Sequence, residues 1–481
     1  MSMYADAITI ESRYKRCLAD LQSRGQAHVL RWWDELDAAE RVHLLSELEC
    51  IPWTGLDPLV ESHALRKPRE STPTDLEPAP VYPRAPDAAQ AALYEEAKTL
   101  GQELLRAGKL AAFTVAGGQG TRLGHDAPKG TVPVSPVRNK TLFQLFAEMI
   151  AAARERYGVP VPWYIMTNPG NHEQTLAFFN EHARFGLPED GVIVFSQEML
   201  PVFGSDGKLL LDDKHRLARA PDGHGGALKA LVASGALADM QSRGVEIISY
   251  FQVDNPLVKP FDPLFIGLHA KSGSEMSSKV VPKADDHEHV GNVCLHDGRA
   301  VVVEYTNFPD ELATARNHDG SRKFDAGSIA IHLLDVGFVD RVIAQRFALP
   351  YHRAEKRVAW LDDKGVVRSP EKPNAVKLET FVFDALPLAR HALLLQVDRA
   401  EEFSPVKNTT GVDSLETAVR DQIRRAARWL AAAGMEIPRT PDGELNLTLE
   451  IAPSYALDAE DVKRRSTALT GLKPGQSIYL A

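Results

Sequence analysis

The sequence predicts an α/β fold with a mixed, mostly parallel sheet, an N-terminal helical region and a small C-terminal α+β domain. Short apolar runs alternate with amphipathic helical patterns from about residue 110 to residue 253. Helical spacing dominates the first 66 residues, and one long helical pattern followed by short strand-like runs ends the chain. Alternating strands and helices are typical of a parallel sheet with helices on both faces.

The N-terminal region is predicted to be helical. Apolar residues between Val29 and Leu36 recur at helical spacing, and Asp37 with Glu40 forms a capping-box pattern at the start of the next helix. Six prolines between residues 68 and 86 follow. Because proline removes backbone donors and blocks helix, this stretch predicts a linker. We therefore assign residues 1–90 to an N-terminal helical region and its linker.

A central domain is predicted over residues 91–402 and a small C-terminal domain over residues 403–481. Thr141 and Gln144 form a second capping-box pattern, and Gly226 precedes a further helix. The predicted strands of the parallel sheet are 110–116, 163–167, 192–196 and 246–253, with a helix at 173–184. Strands at 275–281, 300–305 and 377–383 predict a mixed extension of the sheet. The C-terminal domain is predicted to hold a helix at 414–433 and a strand at 446–451.

Composition limits the class of partner and the compartment. The 481 residues carry a formal net charge of −10, which argues against a nucleic-acid or anionic membrane surface. Cys17, Cys50 and Cys294 are far apart and odd in number, so they indicate reduced thiols and not a disulfide framework or a zinc site. No apolar run approaches the roughly 18 residues that span a bilayer, and the N-terminus lacks a signal-peptide core. We expect a cytoplasmic protein without nucleic-acid or membrane partners; the oligomeric state stays open.

A glycine-rich segment follows the first predicted strand of the sheet. Residues 115–124 read VAGGQGTRLG, and Pro128-Lys129-Gly130 comes shortly after. Glycine lets a backbone approach a phosphate chain and present N–H groups to it, and Arg122 and Lys129 add positive charge. Ligands of such sheets bind at the carboxyl ends of the strands. The segment therefore predicts a phosphate-binding loop.

Two common phosphate motifs are excluded here. A P-loop needs GxxxxGK[ST], and no Lys-Ser or Lys-Thr stands at the required offset. A dinucleotide fingerprint needs GxGxxG, which Gly118 and Gly120 begin, but Leu123 occupies the last position.

Asp254 ends the apolar strand predicted before it and is expected at the same edge of the sheet. A carboxylate there would repel a triphosphate unless a hard cation stood between them. Mg²⁺ held by one or two carboxylates and phosphate oxygens fits this requirement. The alternative is a turn former, because Asn255-Pro256 follows directly.

With these motifs the chain resembles the UDP-sugar pyrophosphorylases, the UTP–hexose-1-phosphate uridylyltransferases, and within them the eukaryotic-type UDP-N-acetylglucosamine and UDP-N-acetylgalactosamine pyrophosphorylases. The resemblance covers nearly the whole chain and implies a Rossmann-like nucleotidyltransferase core. Besides GGQGTRLG and PKG it rests on FSQEMLP at 195–201, PDGHGG at 221–226, VDN at 253–255, GNVC at 291–294, VEY at 303–305, KPN at 372–374, FVFD at 381–384 and FSPVKN at 403–408.

The resemblance implies a role for each matching residue. The nucleotide would be held by Val115, Ala116 and Gly117 along the uracil, by Gly118, by Gln197 at the uracil edge, and by Gly223 and His224 beside the uridine. The departing pyrophosphate would contact Gly120, Thr121, Arg122 and Lys129. Lys407 would contact the α-phosphate, and Asp254 would coordinate Mg²⁺ or Mn²⁺. The sugar would be surrounded by Gly291, Glu304, Ser328, Phe381 and Phe383.

Without the resemblance several of these residues have plainer interpretations. Lys407 would be a solvated loop lysine, and Glu304 a strand residue facing solvent. Phe381 and Phe383 would alternate along a strand, share one face and pack in the core.

Two positions depart from the family pattern. His224 stands where Asn is usual, and Ser328 stands where the hexosamine enzymes commonly have Asn. Histidine can still donate and accept hydrogen bonds, so contact with the ribose is retained in our interpretation. The shorter Ser328 leaves the identity of the sugar open.

The resemblance implies direct in-line transfer from UTP to a hexose 1-phosphate, with N-acetylglucosamine 1-phosphate favoured and pyrophosphate released. A UDP-glucose or UDP-galactose pyrophosphorylase is the alternative within the family. A glycosyltransferase that consumes UDP-sugars would use a DxD motif, which is absent at 253–255. A non-catalytic nucleotide-sugar sensor would not need Lys129, Asp254 and Lys407.

Overall fold

The computed structural model describes residues 2–67, 73, 75–344, 349–465 and 471–481. The helices in these residues are α1 (Ser2–Ser23), α2 (Ala38–Glu49), α3 (Trp53–Leu59), α4 (Ala91–Arg106), α5 (Leu142–Tyr157), α6 (His172–Glu181), α7 (Gly226–Ala233), α8 (Ala236–Ser242), α9 (Pro263–Lys271), α10 (Asp310–Ala313), α11 (Val336–Ala344), α12 (Arg399–Glu402), α13 (Leu415–Ala432) and α14 (Ala459–Arg465).

The strands alternate with these helices along the central part of the chain. They are β1 (Glu77–Pro78), β2 (Leu110–Val115), β3 (Trp163–Thr167), β4 (Val192–Ser196), β5 (Met199–Pro201), β6 (Phe203–Gly204), β7 (Leu211–Asp213), β8 (Arg216–Leu217), β9 (Arg219–Pro221), β10 (Ile247–Gln252), β11 (Met276–Pro282), β12 (Asn292–His296), β13 (Arg299–Val303), β14 (Ala326–Asp335), β15 (His352–Lys356), β16 (Trp360–Leu361), β17 (Val367–Arg368), β18 (Ala375–Glu379), β19 (Ala392–Gln396), β20 (Leu447–Ile451) and β21 (Gln476–Leu480).

The largest sheet has ten strands and is mixed. Its main path runs β1-β12-β14-β10-β2-β3-β4, with β11 beside β14, β19 beside β11 and β13 beside β12. Strands β10, β2, β3 and β4 are mutually parallel, whereas β14 is antiparallel to β10. The predicted α/β fold is therefore confirmed, with the parallel half formed by the strands that alternate with helices.

The parallel strands form because their sequences are continuous apolar runs. All five residues of β3 are buried, and so are the first five of β2 and of β10. Strands covered on both faces have this pattern, since each face needs apolar side chains. Helices α4 and α9 pack with their backbones in close contact. A Cβ added at Gly101 would lie 1.9 Å from the Pro263 carbonyl oxygen, and one at Gly267 would lie 1.6 Å from that of Ala97.

Two predicted capping boxes differ in outcome. Asp37 and Glu40 form the complete reciprocal box at the start of α2. At α5 the Thr141 hydroxyl accepts from the Gln144 N–H at 3.2 Å, but the Gln144 amide donates to Glu148 one turn further on. The second box is therefore only half formed.

The chain divides into two compact units, each assembled from three segments. The first consists of Met1–Ser71, Glu198–Gly226 and Leu349–Val382, and the second of Thr72–Gln197, Ala227–Ala348 and Phe383–Ala481. The ten-stranded sheet lies in the second unit, together with α13, α14 and the parallel pair β20-β21. The domain limits at residues 90 and 402 stay a prediction. Residues 68–72 and 74 of the predicted proline-rich linker lie outside the described residues, whereas Glu77–Pro78 forms β1 of the ten-stranded sheet and Tyr82 forms a bridge to Leu395.

The core of the first unit joins its three segments. Helix α2 contributes Leu45, strand β6 contributes Phe203 and strand β18 contributes Val376, and each is at most 1% exposed. Strands β15, β18 and β6 form a three-stranded antiparallel sheet in this unit.

Three predicted elements were wrong in extent or type. The predicted strand 377–383 ends at Glu379 as β18, and Val382–Leu388 forms a 3-10 helix. The predicted helix 173–184 ends at Glu181, because Ala183, Arg184 and Phe185 have φ values of 47° to 53°. The strand predicted at 300–305 ends at Val303 as β13.

Among the described residues no helix is both long enough and apolar enough to cross a membrane. All three cysteines are free thiols.

Candidate active site

The parallel strands bring four separate segments to one edge of the sheet. The last paired positions are Gln252 with Val115 between β10 and β2, and Thr167 with Ser196 between β3 and β4. The segments that leave this edge are Val253-Asp254, the glycine-rich loop from Ala116, the turn from Asn168, and Gln197. The sequence predicted this convergence for the first and second segments, and the resemblance implied a role in the same site for Gln197.

The glycine-rich loop folds back along the Pro128-Lys129 segment. The Lys129 N–H donates to the Gly118 carbonyl at 3.0 Å, and the Gly120 N–H donates to the Ala127 carbonyl at 2.9 Å. Gly120 is required here, since a Cβ would lie 2.7 Å from the His125 carbonyl oxygen. Thr121 and Arg122 lie in a short 3-10 turn and are exposed.

Lys129 and Asp254 meet at this edge. The Lys129 Nζ donates to the Asp254 Oδ2 at 3.2 Å, and the two side chains are 16% and 12% exposed. Asp254 is thus a carboxylate at the strand end with an adjacent cation, as the strand assignment predicted. The turn that Asn255-Pro256 indicated is also present, so the two interpretations of this segment are compatible.

Two asparagines that sequence reasoning missed hold the glycine-rich loop from β3. The Asn171 Nδ2 donates to the carbonyls of Ala116 at 2.9 Å and Gly118 at 3.3 Å. The Asn168 Nδ2 donates to the Gly117 carbonyl. Because C=O and N–H point to opposite sides of a trans peptide, the N–H groups that follow these carbonyls face away from the asparagines. The sequence feature that could have identified the two asparagines is the polar turn directly after a parallel strand.

Lys407 is brought to Asp254 by backbone hydrogen bonds. The Val406 N–H donates to the Asp254 carbonyl at 2.8 Å, and the Lys407 Nζ lies 3.8 Å from the Asp413 Oδ2. The Thr409 hydroxyl donates to the Arg122 carbonyl at 2.8 Å. The loop that carries Lys407 therefore touches both the Asp254 segment and the glycine-rich loop.

Asp413 is a further acidic group beside these residues. Burial raises the pKa of its carboxyl, Lys407 opposes this rise, and the neighbouring Asp254 carboxylate adds to it. Composition gave no signal for Asp413, because its position depends on the turn after Lys407.

Gly291, Glu304 and Ser328 lie together beside β14, as the resemblance implied. The Ser328 N–H donates to the Gly291 carbonyl at 2.8 Å. A Cβ at Gly291 would lie 3.6 Å from the Glu304 Oε1 and 3.9 Å from the Ser328 Cβ. Glu304 follows the end of β13 and is half-buried.

The first unit holds Gly223, His224 and Phe381, and the other candidate residues lie in the second unit. The Gly225 N–H donates to the Thr380 carbonyl at 2.8 Å. Gly223 has φ +82°, and a Cβ there would lie 2.3 Å from the same carbonyl oxygen. The glycines therefore allow the loop at 222–226 to lie directly against the segment after β18.

His224 is a hydrogen-bond acceptor at Nδ1. The Val382 N–H donates to it at 3.1 Å, and its ring lies 5.3 Å from that of Phe381. Burial, and then the nearby His352, lower the pKa of His224 to about 4. The ring is consequently neutral near pH 7.

Phe381 and Phe383 do not share a strand face, contrary to the prediction. Phe381 follows β18 and stacks on His352 at 4.6 Å between ring centroids. Phe383 lies in the 3-10 helix Val382–Leu388 and is 7% exposed. Pro387 inside this segment, with Phe383 and Val382 buried, favours a compact turn over a continued strand.

The residues present fit a hard divalent cation at Asp254. Asp254 supplies a buried carboxylate oxygen, and Mg²⁺ usually takes its other ligands from phosphate oxygens and water. Among the residues that the structure describes, Asp254 does not belong to a cluster of three possible metal ligands. In the described part of the chain, the cluster of that kind consists of Asp75, His296 and Asp297.

Comparison with known proteins agrees with this geometry. A family model described as UTP–glucose-1-phosphate uridylyltransferase matches residues 77–419. The Xenopus tropicalis UDP-N-acetylhexosamine pyrophosphorylase-like protein 1 is 38% identical over 449 residues, covering 90% of this chain and 87% of that protein. The Saccharomyces cerevisiae UDP-N-acetylglucosamine pyrophosphorylase is 35% identical over 428 residues, covering 85% and 90%.

A solved structure also covers almost the full length. The Trypanosoma brucei uridine diphosphate N-acetylglucosamine pyrophosphorylase, crystallised with an inhibitor, has a TM-score of 0.81 and 25% identity over 98% of each chain. From the family match and these relatives, the chain belongs to the UTP–glucose-1-phosphate uridylyltransferase family.

Proposed function

We propose that this uridylyltransferase joins UTP to N-acetylglucosamine 1-phosphate to make UDP-N-acetylglucosamine and pyrophosphate. The observation that carries the proposal is the meeting of Lys129, Asp254 and Lys407 at the carboxyl edge of the parallel sheet. The choice of N-acetylglucosamine rests on the names of the two relatives, a UDP-N-acetylhexosamine pyrophosphorylase-like protein and a UDP-N-acetylglucosamine pyrophosphorylase.

The reaction exchanges one phosphoanhydride bond for another. A phosphate oxygen of the sugar phosphate attacks the α-phosphorus of UTP, the bond from that phosphorus to the bridging oxygen breaks, and pyrophosphate leaves with the electron pair. No protein nucleophile or net proton transfer is required. Positioning and charge stabilisation are the main contributions that a protein makes to such transfers.

Each charged residue has a distinct part in this proposal. Lys129 and Arg122 hold the β- and γ-phosphates, and the loop residues Gly118, Gly120 and Thr121 lie along them. Lys407 contacts the α-phosphate, where charge develops in the transition state.

The base is recognised by Gln197 at its edge, with Val115, Ala116 and Gly117 along its face. A buried amide that pairs with a base edge rejects other bases strongly, since its polar groups are then left unpaired. Gln197 is 5% exposed, which supports this role.

Asp254 would hold Mg²⁺ or Mn²⁺ in this proposal. When bound, such a cation neutralises phosphate charge without proton transfer. In its absence the Lys129 ammonium is the group that Asp254 contacts. We also propose a cytoplasmic location, which the three free thiols favour.

Gly291, Glu304, Ser328 and Phe383 would surround the sugar. Ser328 supports a second candidate, a UDP-glucose or UDP-galactose pyrophosphorylase, because it lacks the amide common in the hexosamine enzymes.

The test is pyrophosphate release from UTP and Mg²⁺ with N-acetylglucosamine, N-acetylgalactosamine, glucose and galactose 1-phosphates. We expect N-acetylglucosamine 1-phosphate to give the highest kcat/KM. Asp254→Asn should lower turnover on the order of 10²-fold, since metal-assisted charge stabilisation contributes several kcal/mol.

The matched control is Asp126→Asn, an exposed aspartate in the same loop region, which should leave turnover unchanged. Normal turnover in Asp254→Asn would contradict the assigned metal ligand. No pyrophosphate release with any sugar phosphate would favour the sensor, and release only with another sugar phosphate would reassign the substrate.

A further inference from the structure

A second cavity lies in the unit that holds the ten-stranded sheet. Its volume is about 740 Å³, and it is lined by α4, the C-terminal half of α5, the segment 258–264, α13 and residues 451–464. None of the candidate catalytic residues lines it. A ligand of the size of a small phosphorylated metabolite fits this volume.

The lining of this cavity is positively charged. Six lysines and arginines line it, against three carboxylates, in a chain whose net charge is −10. Asp262 is paired with Lys279 from outside the lining at 2.7 Å. Three of the six cations are also paired: Arg156 and Arg464 with the Asp461 carboxylate, and Lys259 with Glu401 at 3.6 Å. Lys98, Arg106 and Arg425 have no carboxylate partner among the described residues. The remaining positive charge favours an anion.

Helix α4 presents a row of donors to the cavity. Lys98, Gln102 and Arg106 are four residues apart and therefore lie on one face of the helix. At 1.5 Å per residue, Lys98 and Arg106 are about 12 Å apart along the axis. The described residues offer neither of them a carboxylate within ion-pair distance, so both cations are available to a ligand.

Two other cations of the lining contact the segment that leads to Lys407. The Arg425 Nη1 donates to the carbonyls of Leu257 at 3.0 Å and Glu401 at 3.2 Å. The Lys259 Nζ lies 3.6 Å from the Glu401 Oε2. Arg425 thus links Leu257, three residues after Asp254, to Glu401, six residues before Lys407.

We propose that this cavity binds a small metabolite with two separated phosphate groups, and that the bound anion lowers turnover at the carboxyl edge of the sheet. One phosphate meets the α4 row of Lys98 and Arg106. The other competes with the Glu401 carboxylate for Lys259 and with the Leu257 and Glu401 carbonyls for Arg425. Glu401 then keeps Arg428 and Trp429 as partners but loses the link to the chain after Asp254, which weakens the support of the 399–407 segment and of Lys407. The effect on turnover rests on the proposed function, whereas binding of the anion does not.

Binding is tested by calorimetry on the full chain, with fructose 1,6-bisphosphate and inorganic phosphate as probes. A Lys129→Ala/Lys407→Ala background removes phosphate contacts at the catalytic edge. We expect the bisphosphate to bind with one site per chain and more tightly than inorganic phosphate. Lys98→Gln/Arg106→Gln in that background should weaken the bisphosphate about tenfold or more, since charge-assisted hydrogen bonds are lost.

The matched control removes the same charge outside the cavity with Lys271→Gln/Lys323→Gln, which should leave the affinity unchanged. No binding of the bisphosphate, or equal affinity in all variants, overturns the site. Equal affinity for inorganic phosphate overturns the requirement for two phosphates.

The coupling is tested by turnover with the catalytic residues intact. The bisphosphate should lower kcat in the wild type and in the matched control, and it should not do so in Lys98→Gln/Arg106→Gln. Binding without any change in kcat overturns the coupling. A chain that binds the bisphosphate but releases no pyrophosphate refutes the proposed function and leaves the site intact.

Discussion

Asp254 and Lys129 are 125 positions apart in sequence and form an ion pair at 3.2 Å. The sequence predicted both residues at the carboxyl edge of the sheet, because each follows a parallel strand directly or within one loop. It did not predict Asn168, Asn171 or Asp413. Their side chains act through hydrogen bonds or charges on neighbouring loops, and the loop conformations depend on tertiary packing.

Ser328 is the residue through which we propose that the sugar is selected. Ser328 lies on β14, beside Gly291 and Glu304. Its side chain is shorter than that of asparagine. We expect Ser328→Asn to raise kcat/KM for N-acetylglucosamine 1-phosphate relative to glucose 1-phosphate by up to about tenfold, since a neutral hydrogen bond contributes about 0.5–1.5 kcal/mol. Steady-state kinetics with both sugar phosphates measure this ratio.

An exposed serine on α8 provides the control for this substitution. Ser242→Asn should leave the ratio unchanged. An unchanged ratio in Ser328→Asn would show that Ser328 does not contact the sugar.

His224 should make the free energy of unfolding depend on pH. Its folded pKa of about 4 lies below the value near 6.5 of an unfolded histidine, so the unfolded chain binds the proton first. The contribution is complete above about pH 6.5 and is lost as the pH falls to 4, with a maximum of about 3 kcal/mol. Urea unfolding at pH 7 and pH 5 should show a smaller loss in His224→Asn than in the wild type.

The control is His43→Asn, on the surface of α2, where the side chain is 50% exposed. This variant should keep the pH dependence of the wild type. Identical losses in His224→Asn and the wild type would contradict a neutral, protected His224.

At the scale of elements, the strands and helices of the parallel half were predicted closely. Strands β3 and β4 begin and end where the apolar runs do. All five residues of β3 are buried, because both of its faces are covered. The segment 377–383 was wrong because its alternating apolar residues resemble a strand, whereas Pro387 and the contact of Thr380 with the 222–226 loop end it. The local periodicity of the sequence carries no information about that contact.

The turn after β3 is the element on which the glycine-rich loop depends. Asn171 is 1% exposed and donates to two carbonyls of that loop. Asn171→Ala should raise the KM for UTP about tenfold and leave the KM for the sugar phosphate nearly unchanged, because the phosphate-binding N–H groups lose their orientation. The free energy of unfolding should fall by about 1–3 kcal/mol, since buried carbonyls lose their donors.

Two further variants separate orientation from packing. Asn171→Asp keeps the side-chain volume but cannot donate when ionised, so it should show the same rise in the KM for UTP. Asn180→Ala, on the exposed face of the following helix α6, should change neither constant. Equal rises in both KM values in Asn171→Ala would indicate general loss of structure instead of a specific effect on UTP.

At the scale of the whole molecule, the compact units could not be derived from composition. The N-terminal helices were predicted as a region of their own. Helical periodicity shows that these residues form helices, but it does not show what the helices pack against. Their apolar faces instead share a core with β6 and β18, which are more than 150 and 320 residues after the end of α2. Such pairing is a long-range property, and a single sequence contains no local pattern that reports it.

This shared core predicts that the N-terminal helices are not dispensable. Leu45 of α2 is fully buried in the cluster that contains Phe203 and Val376, whereas Val42 of the same helix is 38% exposed. Leu45→Ala should lower the free energy of unfolding by about 2–5 kcal/mol, because it leaves a cavity among side chains of all three segments. Val42→Ala should change it by no more than about 0.5 kcal/mol. Urea unfolding of both variants measures the difference, and removal of residues 1–66 should expose the apolar faces of β6 and β18 to a hydrophobic dye. Equal stability of the two point variants, with no added dye binding by the shortened chain, would mean that the N-terminal helices fold independently of the segments around Phe203 and Val376.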